Sequence, residues 1–558
     1  MRKTAKIATL CMAFTMSAAM VLSTAACQST EELVKDGKTI NVKLHSAGYG
    51  TSYIYALKEK FEEAYKEEGY KMNIFTPRAG FQGEKFLQDI AADTGADVYF
   101  GGGVDEELLS DPAYANTIAD ITELVYNKKP INFKGEEVGD KTVGELMSEM
   151  TYGYHSYQRA DGSYYSIPWG SGIRGVAVNT AVMKEYNLEL PKTSKEFFHC
   201  YDVIMAKAAE TGVFPITHIA TTNNYPCSFT NGWMAQYEGY EWYEEFCTFQ
   251  KADGTKLTKD EATAMFNSDG VYYMLEGMYH ALDPNCATYG SASQGVEKAQ
   301  AKLMNGSCAF MMNGDWLLSE TYSQYSDDYR KNISFIRVPV ISELGVKLFG
   351  AGTAYNKSEE DCEKILRAIV DGADENKEVS VIKAEVDAKL SVDIAEADVQ
   401  RVAEARGYTY TESNDSGIYI SARSEVKDIA ALLVRMCASE DGGNLISSNT
   451  YSCNPFAGNY EEHRYGFVNA TRAIQANRYF KGLRPTFDGY RATIDVNFLD
   501  IFPYTGLYVN LKIAAQKISM YNAETLVKLA TEQVYKDAAA SMQGNIYNDV
   551  RDNYNNKW

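Results

Sequence analysis

The chain has 558 residues, 54 basic against 75 acidic side chains and a net charge of −21, with 45% hydrophobic residues. That is the composition of a folded chain with ample core for about three units or two large lobes, and it excludes a disordered tail. No basic block offsets the acid excess, so a nucleic-acid partner is excluded as well.

Residues 1–26 have a basic start (Arg2, Lys3, Lys6), an apolar run from Ile7 to Leu22 and small residues before Cys27. This is the build of a secretory signal peptide, and the run, broken by Thr and Ser, is short for a bilayer span. Leu22-Ser23-Thr24-Ala25-Ala26-Cys27 resembles a bacterial lipobox, where Cys27 takes lipid and becomes the mature N-terminus; an ordinary cleavage site beside an incidental cysteine is the competing reading. Two or more acyl chains hold a protein stably where one is marginal, so the expectation is a lipid-anchored protein on the extracytoplasmic face of the cell membrane. Cys200, Cys227, Cys247, Cys286, Cys308, Cys362, Cys437 and Cys453 are widely scattered, and their pairing cannot be read from spacing. There is no CxxC, no HExxH and no His/Cys cluster, so neither a metal nor a cofactor is expected.

After a polar tether (27–37), Ile40 to Leu44 alternates as a strand and stops at Ser46 to Gly50. Ile54, Leu57, Phe61 and Ala64 or Tyr65 then recur at helical spacing until Gly69. Lys71 to Phe75 reads as a second strand, Glu84 to Ala92 as a second helix, and Asp97 to Phe100 as a third strand running into Gly101-Gly102-Gly103. This βαβαβ order starts a mostly parallel sheet, in which ligands sit beyond the carboxyl ends of the strands, near Tyr49, Gln82 and Asp105. The glycine run lacks the Lys-Ser/Thr of a phosphate loop.

Further on, Ser166-Ile167-Pro168-Trp169 leads into the strand Val176 to Asn179. Thr193 with Glu196, and Thr258 with Glu261, have capping-box spacing at two helix starts, the second helix running from Ala262 to Tyr279. Lys298 to Met304 is helical, Cys308 to Met312 a strand, and a helix opens at Asn313-Gly314-Asp315-Trp316. Residues 345–416 form an acidic, helix-rich stretch (Glu359 to Asp374, Glu385 to Arg406) that reads as an inserted subdomain, and Gly417 to Ser421 returns to a strand. A helix through Met436, an Asn454-Pro455-Phe456 loop and C-terminal helices up to about Ser541 complete the reading.

The order of these motifs resembles the extracellular solute-binding proteins of bacterial ABC importers, in the carbohydrate-binding group (family 1) that includes maltose-binding protein. The matching pieces are the lipobox at Cys27, the strand Ala96 to Gly103, Ser166 to Trp169 before a hinge strand, the Pro191 helix start, and above all the run Lys302 to Trp316. The resemblance implies an α/β, two-lobe periplasmic-binding-protein-like fold of type II, with hinge strands and the inserted helical subdomain. The N-terminal lobe is then 38–178 with 309–344, the C-terminal lobe 179–308 with 417–558, and the helical insert 345–416, with crossings near Val176 to Asn179, Cys308 to Asn313 and after Val338-Pro339. It further implies a monomer without enzymatic activity that captures a carbohydrate, in the oligosaccharide range, in the interlobe cleft and passes it to ABC importer permease subunits.

A sugar site needs aromatic platforms for C–H faces and polar side chains for hydroxyls. Trp169, Trp233 and Trp316 are the platform candidates, and each could equally be a core anchor. Trp242, at helical spacing from Tyr243 and Phe246, reads as packing. Asp105 and Asp315 are the hydrogen-bonding candidates, with helix capping as their alternative role, and Tyr49 and Gln82 rest on lying at the sheet's ligand edge. Two other classes stay open: a secreted glycoside hydrolase using paired carboxylates, and a surface adhesin.

Overall fold

The computed structural model describes residues 32–450, short breaks aside, with Phe456 and the strand Arg484–Phe487 beyond. The breaks that bear on function are 46–47, 77–82, 102–103, 105, 151–158, 220–224, 226, 315 and 413–416. The expected signal peptide, Cys27, the rest of the Asn-Pro-Phe loop and the expected C-terminal helices lie outside the described residues.

The first sheet is built from β1 (Thr39–Leu44), β2 (Lys71–Phe75) and β3 (Val98–Gly101), with helices α1 (Ser52–Ala64) and α2 (Glu84–Ala91) as the connections. β1 is buried along its whole length. Ile40, Val42 and Leu44 fill the core, while Asn41 and Lys43 are buried because each is satisfied: the Asn41 backbone and side chain both donate to Asp97 Oδ2 at 2.8 Å, and Lys43 pairs with Asp89 at 3.2 Å. β4 (Ile167–Pro168) and β10 (Gly417–Ile420) complete the sheet in the order β2-β1-β3-β10-β4, with β10 antiparallel to both of its neighbours. A strand arriving from residue 417 thus lies inside the first lobe's sheet.

The second sheet contains β5 (Gly172–Asn179), β6 (Phe214–Thr217), β7 (Cys308–Gly314), β8 (Ile333–Ile336), β9 (Tyr408–Glu412) and β11 (Arg484–Phe487). Its order is β11-β9-β5-β7-β6, with β8 also paired to β5. β7 runs antiparallel to β5, with Val176 opposite Met312, and parallel to β6. Strands 172–179 and 308–314 therefore both belong to the second lobe, and neither crosses between lobes. The chain changes lobe instead between β4 and β5 and between β9 and β10, and again between Thr450 and β11. This corrects the expected division, which gave 309–344 to the N-terminal lobe and all of 417–558 to the C-terminal lobe: alternation marks a strand but not its neighbour.

The expected 345–416 insert contains α3 (Glu359–Asp374), α4 (Val379–Leu390) and α5 (Glu396–Gly407) and then the strand β9. It is no separate body, because Ile365, Ile369, Ile382, Val399 and Val402 belong to the same hydrophobic cluster as Val176, Phe310 and Trp233. Ions hold it there too. Asp374 receives Arg406 through two bonds, at 2.8 and 3.1 Å, and Lys192 at 3.1 Å, while Arg367 reaches Glu196 at 2.6 Å. Burial alone would raise the Asp374 carboxyl, but Arg406 and Lys192 outweigh it and hold the group below its ordinary value.

Candidate ligand-binding site

The site assembles where the two lobes meet, around Tyr49 in the loop that leaves the carboxyl end of β1. Its ring meets Trp169 edge-on at 5.2 Å and Trp316 edge-on at 6.2 Å. Trp169 stands at the first crossing and stacks on Tyr53 of α1 at 4.8 Å and 19°. Trp316 follows β7 and opens the short helix Leu317–Thr321, so its backbone comes from the second sheet while its ring joins the first lobe's hydrophobic cluster. Tyr225 completes the group, with its ring 6.0 Å from Trp316 and its hydroxyl accepting the Trp316 Nε1 proton at 3.3 Å. It packs against all three hydrophobic clusters of the protein, which places it at their junction.

Polar groups surround these rings. Arg174 of β5 lies buried with its guanidinium 5.4 Å from the Tyr225 ring centre and 5.6 Å from that of Trp316, a cation–π arrangement on two rings. Glu320, on the Leu317–Thr321 helix, accepts a hydrogen bond from Gln300 of the helix Val296–Met304. Burial pushes the Glu320 carboxyl up to about 7, with the Gln300 bond pulling the other way. The Tyr225 hydroxyl is raised by burial and by the field of Glu320, against the Trp316 bond and Arg174. Gly48, at φ +85°, is required here: a Cβ at that position would stand 2.7 Å from Glu320 Oε1.

Of the residues singled out from sequence, Tyr49, Trp169 and Trp316 come together at this seam. Trp233 does not. It is fully buried in the second lobe on the helix Cys227–Glu238, edge-on to Phe229 at 4.7 Å, with Nε1 donating to the Pro339 carbonyl at 2.9 Å. It is a core anchor because the polar loop before it becomes helix and turns the ring inward. Trp242 stacks on Phe246 at 5.2 Å and packs on the same core, the packing role expected of it. Gln82, Asp105 and Asp315 lie outside the described residues; their neighbours Val104 and Trp316 are buried. Sequence reasoning missed Tyr53, Arg174, Tyr225, Gln300 and Glu320. Only Tyr225, an aromatic in the turn-rich stretch Thr221 to Pro226, left a usable signal.

Two α/β lobes meet at an aromatic and charged seam, an arrangement suited to holding a ligand between them. The sequence agrees: residues 56–404 match the bacterial extracellular solute-binding protein family, and the chain belongs to that family. No curated protein matches the chain. Among solved structures, RafE in complex with raffinose is similar at 12% identity and a TM-score of 0.51, over 92% of this chain and 99% of that one. Apo RafE from Streptococcus pneumoniae gives the same identity, score and coverage. A protein from work on xylan utilization by the thermophile Caldanaerobius polysaccharolyticus also scores 0.51 at 12% identity, over 91% of this chain and 100% of that one. At such identities the likeness is one of fold, that of the type II two-lobe binding proteins. No helix among the described residues is long and apolar enough to cross a membrane.

Proposed function

We propose that the protein is the lipid-anchored, extracytoplasmic receptor of an ABC importer, capturing a carbohydrate between its lobes and delivering it to the permease. The observation that carries this reading is the ring cluster of Tyr49, Trp169, Trp316 and Tyr225 at the seam, with Arg174, Gln300 and Glu320 beside it. Rings of this kind stack on sugar C–H faces while the polar side chains take hydroxyls. The names of similar folds, which mention raffinose and xylan, support the same ligand class. Because Tyr49, Trp169 and Trp316 are buried against one another, a ligand reaches them when the lobes swing apart. Sugar that touches both lobes then favours closure, since only the closed form makes both sets of contacts. Gln82, Asp105 and Asp315 are proposed as further hydrogen-bonding groups, and Cys27 as the point of lipid attachment.

Thermal-shift screening against a glycan panel tests the ligand class. A clear rise in melting temperature with a sugar is expected; hits confined to peptides or polyamines would reject it. For the anchor, Cys27→Ser is expected to release the protein from membranes, and retention of the variant would reject acylation at that residue.

A further inference from the structure

Glu320 is held from two sides. Gln300 of the Val296–Met304 helix donates to its Oε2, and its Oε1 takes the space that a Cβ at Gly48, in the loop after β1, would need. The carboxylate thus bridges the second lobe's helix layer and the ligand edge of the first sheet. Among the described residues no cation pairs with it, since Gln300 supplies its one hydrogen bond and Arg174 is stacked over the rings of Tyr225 and Trp316. Among the described residues the Tyr225 phenol feels its field, and burial and the Gln300 bond, with no cation, set its own protonation. A partly buried carboxylate without a counter-ion is unfavourable, and the imbalance is removed when a bound molecule brings the positive charge.

We infer that Glu320 is the specificity-determining group of the cleft and selects sugars that carry a free amino group. The inference rests on the carbohydrate reading above and narrows it. An ammonium group offers Oε1 three donors and a full charge, where a hydroxyl offers one donor and none.

The test is calorimetric titration at neutral pH with a fully deacetylated chito-oligosaccharide, its N-acetylated counterpart of equal length and a neutral glucan of equal length. Wild type is compared with Glu320→Gln, and circular dichroism checks both folds. The expected result is about tenfold or tighter binding of the free-amine oligomer in wild type, with the preference abolished in Glu320→Gln. If Glu320→Gln does not fold, Glu320→Asp serves instead and is expected to keep the preference while binding more weakly. Equal or better binding of the acetylated or neutral sugar by wild type, or a preference that survives Glu320→Gln, would overturn the inference and leave the carbohydrate reading intact. Binding of no sugar at all would overturn the carbohydrate reading, and the inference with it.

Discussion

Trp169 and Trp233 are both fully buried, yet only one has a partner for its indole N–H. Trp233 Nε1 donates to the Pro339 carbonyl at 2.9 Å, whereas Trp169 Nε1 has no acceptor among the described residues. Replacing each by Phe therefore separates packing from hydrogen bonding. The smaller ring leaves a void of about 40 Å³, which costs about 1 kcal/mol at either site. At 233 the Pro339 carbonyl also loses its donor, adding about 1–3 kcal/mol. At 169 the change removes a buried donor that was already unsatisfied, so about 1–3 kcal/mol is recovered and offsets the void. Trp233→Phe is expected to lose about 2–4 kcal/mol and roughly 5–15 °C in Tm, while Trp169→Phe is expected to lose nothing and to gain up to about 2 kcal/mol. Scanning calorimetry without ligand measures both. Equal losses, or a larger loss at 169, would show that burial of the N–H has been misjudged.

Asp374→Asn should destabilise by about 3–5 kcal/mol, because the buried Arg406 is left without its carboxylate; urea unfolding would show this, and a change under 1 kcal/mol would refute it. Two groups make the pH dependence of stability a contest. Glu320, raised from 4.5 to about 7, holds a proton that the unfolded chain releases, so its contribution falls as pH climbs from about 4.5 to about 7. His218, half-buried and lowered by desolvation from 6.5 to about 4, stays neutral where the unfolded chain would protonate, so its contribution falls as pH drops from 6.5 towards 4. Glu320→Gln should remove the first slope and expose the second, giving a protein that loses stability on acidification more steeply than wild type across that interval; identical pH profiles would contradict the assignment. Gly277→Ala puts a Cβ 2.5 Å from the Trp233 ring, and a loss of about 1–3 kcal/mol is expected on overpacking, with an unchanged Tm as the contrary result.

Much of the local structure was legible because it depends on neighbours in sequence. Ile54, Leu57 and Phe61 share a helix face and are all buried, and Glu359–Asp374 is a helix over the expected span. The capping-box spacings held: Thr193 caps its helix through the Glu196 N–H, and Thr258 with Glu261 makes the full reciprocal pair. Two long helices were over-read. The stretch from Ala262 to Tyr279 breaks at Ser268, whose side chain caps a second helix by accepting from the Val271 N–H. That from Glu385 to Arg406 breaks where Ser391 turns left-handed and the Asp387 carboxylate takes the Ile394 N–H. What depends on distant partners was not legible. Nothing within Cys308–Gly314 says that it pairs with 172–179. The cleft was half visible for the same reason: Tyr49 and Trp169 flank a sheet edge that local pattern reveals, whereas Arg174, Gln300 and Glu320 acquire meaning only when three separate segments meet at Tyr225 and Trp316.

The placement of β10 has a consequence for how the molecule comes into being. Its pairs run from Gly417 to Gly101 and from Ile418 to Ile167, so the first lobe's sheet closes across more than 250 residues of intervening chain. Contacts of such sequence separation form late and slowly, since the long loop must be ordered before the ladder can reward it. A ribosome that has made only the first 400 residues has produced every other strand of that sheet but not the one that joins β3 to β4. The unfinished lobe exposes the edges of β3 and β4, and it remains a substrate for export machinery and chaperones rather than a folded domain. Delayed closure suits the export that the proposed function requires. Shortening the delay, for example by a circular permutation that places β10 next to β3, should yield a lobe that folds faster and is exported less efficiently.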